Sequence, residues 1–185
     1  MQIKDQVILG IDPGTNIMGY GLIHVKNKKI ELMVMDVLYL KRLDNQCMKM
    51  KRIFEKTLSL IEEYLPDSLA IEAPFYGKNV QSMLKLGRAQ GIAMAAALYK
   101  NIPVFEYSPK KVKQSITGNG NASKEQVAAM LNYLLEVKEP PKYLDATDAL
   151  GIAVCHYLQN TQATQNEQYT GWGSFISKNA DRIIK

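Results

Sequence analysis

Two short apolar runs that each end on a carboxylate constrain this sequence more than any other feature. Residues 7–11 lead directly into Asp12, and residues 68–71 lead into Glu72. Their apolar composition, which in the first run is also largely β-branched, predicts buried strands. An acid that ends such a strand is costly unless it is paired or neutralised. If the two strands are parallel neighbours, both acids lie side by side at the carboxyl edge of a sheet, where α/β proteins form their sites.

The order of the remaining patterns predicts an α/β fold. Residues 19–25 and 30–40 follow the first strand after short turns, which predicts an antiparallel meander of three strands. Residues 68–72 and 102–107 are predicted as the fourth and fifth strands, separated by a helix over residues 79–99. Helices are also predicted from a cap at Asp44 or Asn45 to about 65, from the Ser108-Pro109 cap onward, over 123–135 and over 145–158. We therefore expect a five-stranded mixed sheet, antiparallel in its first three strands and parallel in the fourth and fifth, with helices on both faces.

The length of 185 residues fits one domain, which we expect over residues 1–159. Residues 160–185 are rich in Gln, Thr, Asn and Gly, and we expect a poorly ordered tail there. With 46% hydrophobic and 22% charged residues the chain can build an ordinary core without disulfides. Cys47 and Cys155 are therefore expected to be reduced thiols.

Charge and targeting features narrow the class of protein. The net charge of +5 mildly favours an anionic partner such as a nucleic acid. No apolar run reaches the roughly 18 residues that span a bilayer. The N-terminal residues lack the basic and apolar regions of a signal peptide. A cytoplasmic location without membrane contact is expected.

A second pair of acids, Asp145 and Asp148, is three residues apart and so lies on one face of the last predicted helix. Four acids on one patch would repel one another and raise some pKa values unless cations neutralise them. Oxygen-only ligands suit Mg²⁺, and two such ions roughly 4 Å apart can act on a phosphodiester. Simpler interpretations stay open, because Asp12 before Pro-Gly could only form a turn and Asp145 could only cap a helix.

Four blocks of the sequence, spread from residue 8 to about 156, together form a specific pattern. They are Gly10-Ile11-Asp12-Pro13-Gly14-Thr15 with Gly19-Tyr20-Gly21; Ile71-Glu72 with Phe75, Gly77-Lys78-Asn79 and Leu84-Lys85-Leu86-Gly87-Arg88-Ala89-Gln90-Gly91; Ser108-Pro109 through Val112-Lys113-Gln114 with Gly118, Gly120 and Lys124; and Asp145-Ala146-Thr147-Asp148-Ala149-Leu150 with His156. In this order and in a chain of this length, they resemble the RuvC family of bacterial Holliday junction endonucleases, which have an RNase H-like fold.

The resemblance implies roles for individual residues. Catalytic and metal-binding positions fall on Asp12, Glu72, Asp145 and Asp148. Positions that meet DNA fall on Phe75, Tyr76, Lys78, Lys85, Arg88, Lys113 and Lys124. Phe75 matches an aromatic residue that stacks on a base near the crossover. Tyr76 is a rival for that role, and a place in the core is the alternative for Phe75. For any single lysine the alternative is a solvated face.

The resemblance also implies a reaction and its partners. Two Mg²⁺ ions per active site, for which Mn²⁺ can substitute, would support paired symmetric nicks in a four-way junction, leaving 5′-phosphate and 3′-hydroxyl ends. A homodimer would present two equivalent sites to a junction of approximate two-fold symmetry. The small residues Gly87, Gly91, Ala95 and Ala96 could let their helix pack on a second copy or on its own sheet. A RuvA–RuvB branch-migration complex is the implied partner, and His156 is expected to be a packing or ligand-supporting residue.

Three other functions remain to be distinguished. An actin-like or sugar-kinase-like ATPase also uses a strand followed by Asp and Gly-Thr, but this chain is short for two such domains and lacks a second Gly-rich phosphate loop. A junction-binding module that does not cut would be free to lose the four acids. A nuclease that cuts RNA in hybrids would share the fold, and only the resemblance around Phe75 and Lys113 favours DNA junctions.

Overall fold

The computed structural model describes residues 5–74, 79–136 and 144–166, with side chains up to residue 161. Its strands are β1 (Gln6–Asp12), β2 (Ile17–Lys26), β3 (Lys29–Tyr39), β4 (Ser68–Glu72) and β5 (Val104–Tyr107). Its helices are α1 (Gln46–Tyr64), α2 (Val80–Tyr99), α3 (Pro109–Thr117), α4 (Lys124–Leu135) and α5 (Leu144–Asn166). Within these ranges, none of the helices combines the length and apolarity that crossing a lipid bilayer requires.

The sheet has the order β3-β2-β1-β4-β5. Strands β1 to β3 form the predicted antiparallel meander, and β4 runs parallel to both β1 and β5. The register of β1 against β4 aligns Leu9 with Leu69 and Ile11 with Ile71. The two strands that end in carboxylates are therefore direct parallel neighbours, as the prediction required.

Each face of the sheet carries its own apolar core. Alternate residues of a strand point to opposite faces, so Ile8 packs with α3, α4 and α5, whereas Leu9 and Ile11 pack with α1 and α2. This parity fixes the direction of the strand-end acids. Asp12 has the parity of Ile8, and Glu72 has the parity of Ala70, which belongs to the α5 side. Both acids therefore point toward the face that α5 covers.

Helix starts follow the predicted capping residues. The side chain of Asn45 accepts from the backbone N–H of Cys47 at the start of α1, and Ser108 caps α3 with Pro109 in its first position. Ser123 and Gln126 form the predicted capping box of α4. Cys47 is exposed and Cys155 is buried, both as free thiols.

Two of the differences between predicted and observed boundaries have a clear physical reason. β5 begins at Val104 rather than at residue 102, because Pro103 has no N–H and contributes only its carbonyl, which accepts from Leu69. α5 runs to Asn166, past the predicted helix end near residue 158 and past the predicted start of the tail at residue 160. The Thr161 hydroxyl donates to the carbonyl of Tyr157, one turn back, so this polar segment remains compatible with a helix. The rest of the predicted tail, residues 167–185, lies outside the described residues.

Candidate active site

Helix α5 lies almost directly on the strands that carry the first acid. A Cβ atom at Gly10 would lie 2.2 Å from the carbonyl oxygen of Ala149, so only glycine allows the helix to come this close to β1. Ala149 is the residue after Asp148, so this contact determines how far the helical turn that carries Asp145 and Asp148 lies from the sheet. The short approach brings Asp145 and Asp148 down to the end of β1, where Asp12 points toward them.

Three carboxylates meet at this point. Asp12, Asp145 and Asp148 each offer an oxygen, and these oxygens lie within 4.8 Å of one another. Glu72 lies beside this group and lines the same cavity as Asp12 and Asp148. The four acids, which are far apart in sequence, thus share one site.

The electrostatics of the cluster favour a bound cation. Burial raises the pKa of Asp12 to about 8, and the negative charges of Glu72 and Asp148 add to this effect. Burial followed by the charge of Asp148 also raises the pKa of Glu72. Raised pKa values of this kind mean that the positive charge near these acids is too small to offset their burial and mutual repulsion. Carboxylate oxygens at this spacing are the donor set that a hard divalent cation prefers, so the residues present fit such an ion.

Lys124 supplies part of the missing positive charge. Its Nζ donates to Oδ2 of Asp148, with the two side chains 52% and 22% exposed. Burial acts to lower the pKa of Lys124, but the hydrogen bond to Asp148 and the charges of the cluster outweigh it and raise the pKa. Lys124 therefore remains charged at the edge of the acids.

A cavity of about 630 Å³ opens beside the acids. Its lining combines three chemical types: acids, cations and an apolar floor. The lining residues are Asp12, Glu72, Ser108, Pro109, Lys110, Val112, Lys113, Lys124, Val127, Asp148 and Ile152. A cavity lined by both acids and lysines suits an anionic substrate that brings its charge to a metal-assisted site.

Comparison with known proteins agrees with this geometry. Residues 8–156 match the family model described as "Crossover junction endodeoxyribonuclease RuvC". The chain belongs to the RuvC family.

Relatives and solved structures support this membership along most of the chain. The RuvC protein of Cytophaga hutchinsonii is 58% identical, covering 97% of this chain and 88% of that protein. The RuvC protein of Bacteroides fragilis is 54% identical, covering 98% and 97%. A Thermus thermophilus RuvC structure in complex with a Holliday junction substrate has a TM-score of 0.81 at 32% identity, covering 86% of this chain and 97% of that one. The predicted RNase H-like fold is confirmed.

The residues predicted to contact DNA fall into three groups relative to the site of this RuvC-family chain. Lys113 and Lys124 line the cavity beside the acids. Lys85 and Arg88 are exposed on α2 and are not among the residues that line the cavity. The predictions for Phe75, Tyr76 and Lys78 fall outside the described residues.

Sequence reasoning missed residues that support the site. Lys110 lines the cavity one helical turn before Lys113, and the i, i+3 spacing of these two lysines was a signal for a shared face. Lys49 on α1 donates from Nζ to the carbonyl of Thr15 at 2.9 Å and so holds the turn that follows Asp12. Nothing in the local sequence around Lys49 indicates this contact, because the two residues are 34 positions apart.

His156 is a packing residue in the described part of the molecule. It is 1% exposed, and its ring lies 4.4 Å from the ring of Phe105 between centroids. The side-chain amide nitrogen of Asn160 donates to Nε2 at 3.0 Å, so the neutral ring carries its proton on Nδ1 and donates it to the Tyr107 hydroxyl at 2.7 Å. Burial lowers the pKa of His156 to about 4, which keeps the ring neutral.

Proposed function

We propose that this protein is a structure-selective endonuclease that resolves four-way (Holliday) DNA junctions by paired symmetric nicks, in recombination and repair. The observation that carries the proposal is the convergence of Asp12, Asp145 and Asp148 within 4.8 Å, in a chain of the RuvC family. Four-way junction DNA is the substrate in the Thermus thermophilus complex, whose fold this chain shares. Because that substrate is DNA, we also propose a cytoplasmic location.

We propose Asp12, Glu72, Asp145 and Asp148 as the catalytic and metal-binding residues. Two Mg²⁺ ions, or Mn²⁺ in their place, would neutralise charge on the phosphate and activate the attacking water. The acids themselves bind and orient the ions, and their oxygen-only chemistry selects hard cations. The raised pKa of Asp12 supports this assignment, because an acid that is costly to ionise alone is stabilised by a bound cation.

The lysines of the cavity are proposed to hold the cleaved strand. Lys124 is already charge-paired within the cluster, so a phosphate placed at the acids would have a cation beside it. Lys113, on α3, lines the same cavity. Phosphate contacts of this kind position the backbone without reading its sequence. Phe75, Tyr76 and Lys78, together with the exposed Lys85 and Arg88 on α2, remain proposed DNA contacts.

A homodimer is proposed on the basis of α2. One face of this helix is buried within its own chain, through residues that include Ala93 and Ala96. Gly87 and Gly91 lie on a different part of the helix, and a Cβ atom at either would meet nothing within 4 Å. Exposed apolar side chains accompany them on α2, namely Val80, Leu84, Leu98 and Tyr99. A close approach by a second copy would cover this surface, and a RuvA–RuvB complex is the further proposed partner.

The decisive experiment compares DNA substrates. The purified protein is mixed with a labelled synthetic four-way junction and with linear duplexes of the same arm sequences, with and without Mg²⁺. Symmetric paired nicks in the junction alone, dependent on Mg²⁺, are expected. Binding without cutting would favour a non-cutting module, and cutting of an RNA–DNA hybrid in preference to the junction would favour a hybrid nuclease. Nucleotide binding without any DNA interaction would favour an ATPase.

A further inference from the structure

Gln90 is a buried polar side chain next to the proposed active site that the proposed mechanism does not use. It lies on α2 and is 6% exposed, on the face that packs against the sheet. Its Nε2 donates to the backbone carbonyl of Glu72 at 3.0 Å and to Oε2 of Glu106 at 2.7 Å. A buried amide with two specific acceptors is a costly choice for a position that an apolar residue could fill.

The carbonyl of Glu72 needs this donor because the ladder ends there. The backbone N–H groups of Leu69 and Ala73 donate toward the β5 side of β4. Successive residues of a strand direct their backbone groups to opposite sides, so the N–H and carbonyl of Glu72 point toward β1. One step beyond the last pair, Ile11 with Ile71, the next N–H on β1 would come from residue 13. Residue 13 is a proline and has no N–H. The amide of Gln90 replaces the missing strand donor.

Glu106 fixes the orientation of that amide. A carbonyl oxygen and a carboxylate both accept hydrogen bonds, so both contacts require the NH₂ end of Gln90. Rotating the amide would place its oxygen against two acceptors. Glu106 lies on β5 opposite Ile71. The Gln90 amide, the Glu72 carbonyl and the Glu106 carboxylate therefore link α2, β4 and β5 at the end of β4, where Glu72 reaches the cavity.

We propose that Gln90 is a positioning residue for the cleavage reaction: it holds the end of β4 so that the carboxylate of Glu72 is correctly placed among the other acids. This inference rests on the proposed catalytic role of Glu72. Gln90 does not line the cavity, and it acts on the reaction only through the backbone of Glu72. Small displacements of a catalytic group reduce turnover far more than they reduce substrate binding.

The test uses two substitutions at Gln90 in the full-length protein. Gln90→Met keeps the volume and removes both donors, and Gln90→Glu keeps the shape but turns an oxygen toward both acceptors. We expect the single-turnover cleavage rate at saturating protein to fall about 10-fold or more in Gln90→Met. Junction affinity without metal should stay within about two-fold of the parent, because the phosphate contacts are intact. Backbone amide exchange in residues 68–74 should become faster, while exchange in α5 stays the same.

A second substitution keeps the proposal testable if the Gln90 variants do not fold. Glu106 is exposed, so Glu106→Ala should fold, yet it frees the amide to rotate. We expect a smaller loss of cleavage rate, about three-fold. The matched control is Glu62→Ala, which removes an exposed acid that pairs with Lys100 at the far end of α2 at 2.7 Å, and it should cut at the parent rate.

The outcomes separate this inference from the proposed function. If the parent protein does not cut junctions, the proposed function fails. If the parent cuts and folded Gln90→Met cuts at the same rate, only the positioning role is overturned. A lowered melting temperature with unchanged cleavage rate per folded molecule would likewise assign Gln90 a purely structural role and overturn the proposal.

Discussion

A Cβ atom placed on Gly19 would lie 2.0 Å from the carbonyl oxygen of Asp145. Gly19 pairs with Asp12 across the β1–β2 ladder, so this position on β2 lies opposite one proposed catalytic acid and contacts the helix that carries two others. The absence of a side chain at residue 19 therefore determines how closely Asp145 approaches Asp12.

Gly19→Ala is expected to abolish most of the cleavage activity. The added methyl group cannot be accommodated without lifting the first turn of α5, which separates Asp145 from Asp12. We expect a loss of stability of about 1–3 kcal/mol and a larger proportional loss of Mg²⁺-dependent cutting. Urea unfolding and junction cleavage measure the two effects. Gly151→Ala, on α5, is the control, because its Cβ would meet only the ends of apolar side chains, the nearest being Ile116 at 3.2 Å; if it lost activity as severely, close packing at Gly19 would not be the cause.

Asp12→Asn should lower activity and raise stability in the metal-free protein. Cutting should fall on the order of a thousand-fold or more while junction binding persists. The folded-state pKa of about 8 lies above the usual aspartate value of 3.8, so ionising Asp12 destabilises the fold progressively as pH rises from about 4 to 8. The asparagine side chain does not ionise, so the variant avoids a loss in the free energy of unfolding on the order of 5 kcal/mol at pH 8. Thermal unfolding in EDTA at pH 5 and pH 8 measures it, and equal stability of the two proteins at pH 8 would contradict it.

Lys124→Ala should weaken both the cluster and the DNA contact. Without its ammonium group the acids lose their cation, and a phosphate in the cavity loses a partner. We expect cutting to fall about 10-fold or more. The salt dependence of junction binding, plotted as log K against log salt concentration, should become shallower by about one. Lys51→Ala is the control, since Lys51 is exposed and pairs only weakly with Glu55 at 3.7 Å. An unchanged salt slope in Lys124→Ala would remove Lys124 from the DNA contact.

The fold should lose stability in mild acid partly through His156. Its folded-state pKa of about 4 lies below the usual histidine value of 6.5, so the unfolded chain binds the proton first. The stabilisation is complete above pH 6.5 and is lost as pH falls toward 4, by about 3 kcal/mol. His156→Gln lacks this titration but keeps hydrogen-bonding groups for Tyr107 and Asn160. Urea unfolding between pH 7 and pH 4 should give a shallower slope for the variant, and identical slopes would show that other groups account for the acid sensitivity.

Local signals in the sequence predicted most of the fold. The apolar runs before Asp12 and Glu72, the caps at Asn45 and Ser108, and the capping box at Ser123 each depend on residues a few positions apart, and each is present in the structure. The end of α5 was missed because its last turns are polar and carry no stop signal. There, side-chain hydrogen bonds such as that from Thr161 accompany a helix that apolar periodicity does not reveal.

The four acids of the proposed site could be identified from the sequence, but the way in which the fold brings them together could not be predicted from it. Spacing indicated that Asp145 and Asp148 share a helix face, whereas their meeting with Asp12 depends on α5 lying on glycines of β1 and β2. The contacts of Lys124 with Asp148 and of Gln90 with Glu72 link residues 24 and 18 positions apart. Such contacts depend on tertiary packing, and no periodic pattern in the sequence predicts them.

Because the acidic cluster is complete only when α5 has packed on the sheet, DNA cleavage by this protein also indicates that the domain has folded. Asp12 and Glu72 lie on strands that are synthesised before α5, and a domain generally folds as one unit. Until the segment of Asp145 and Asp148 has been made and has packed on β1 and β2, the sheet holds only half of the four acids. A partly synthesised or partly unfolded chain therefore lacks the complete acidic cluster, and the proposed cleavage activity arises only with the folded domain.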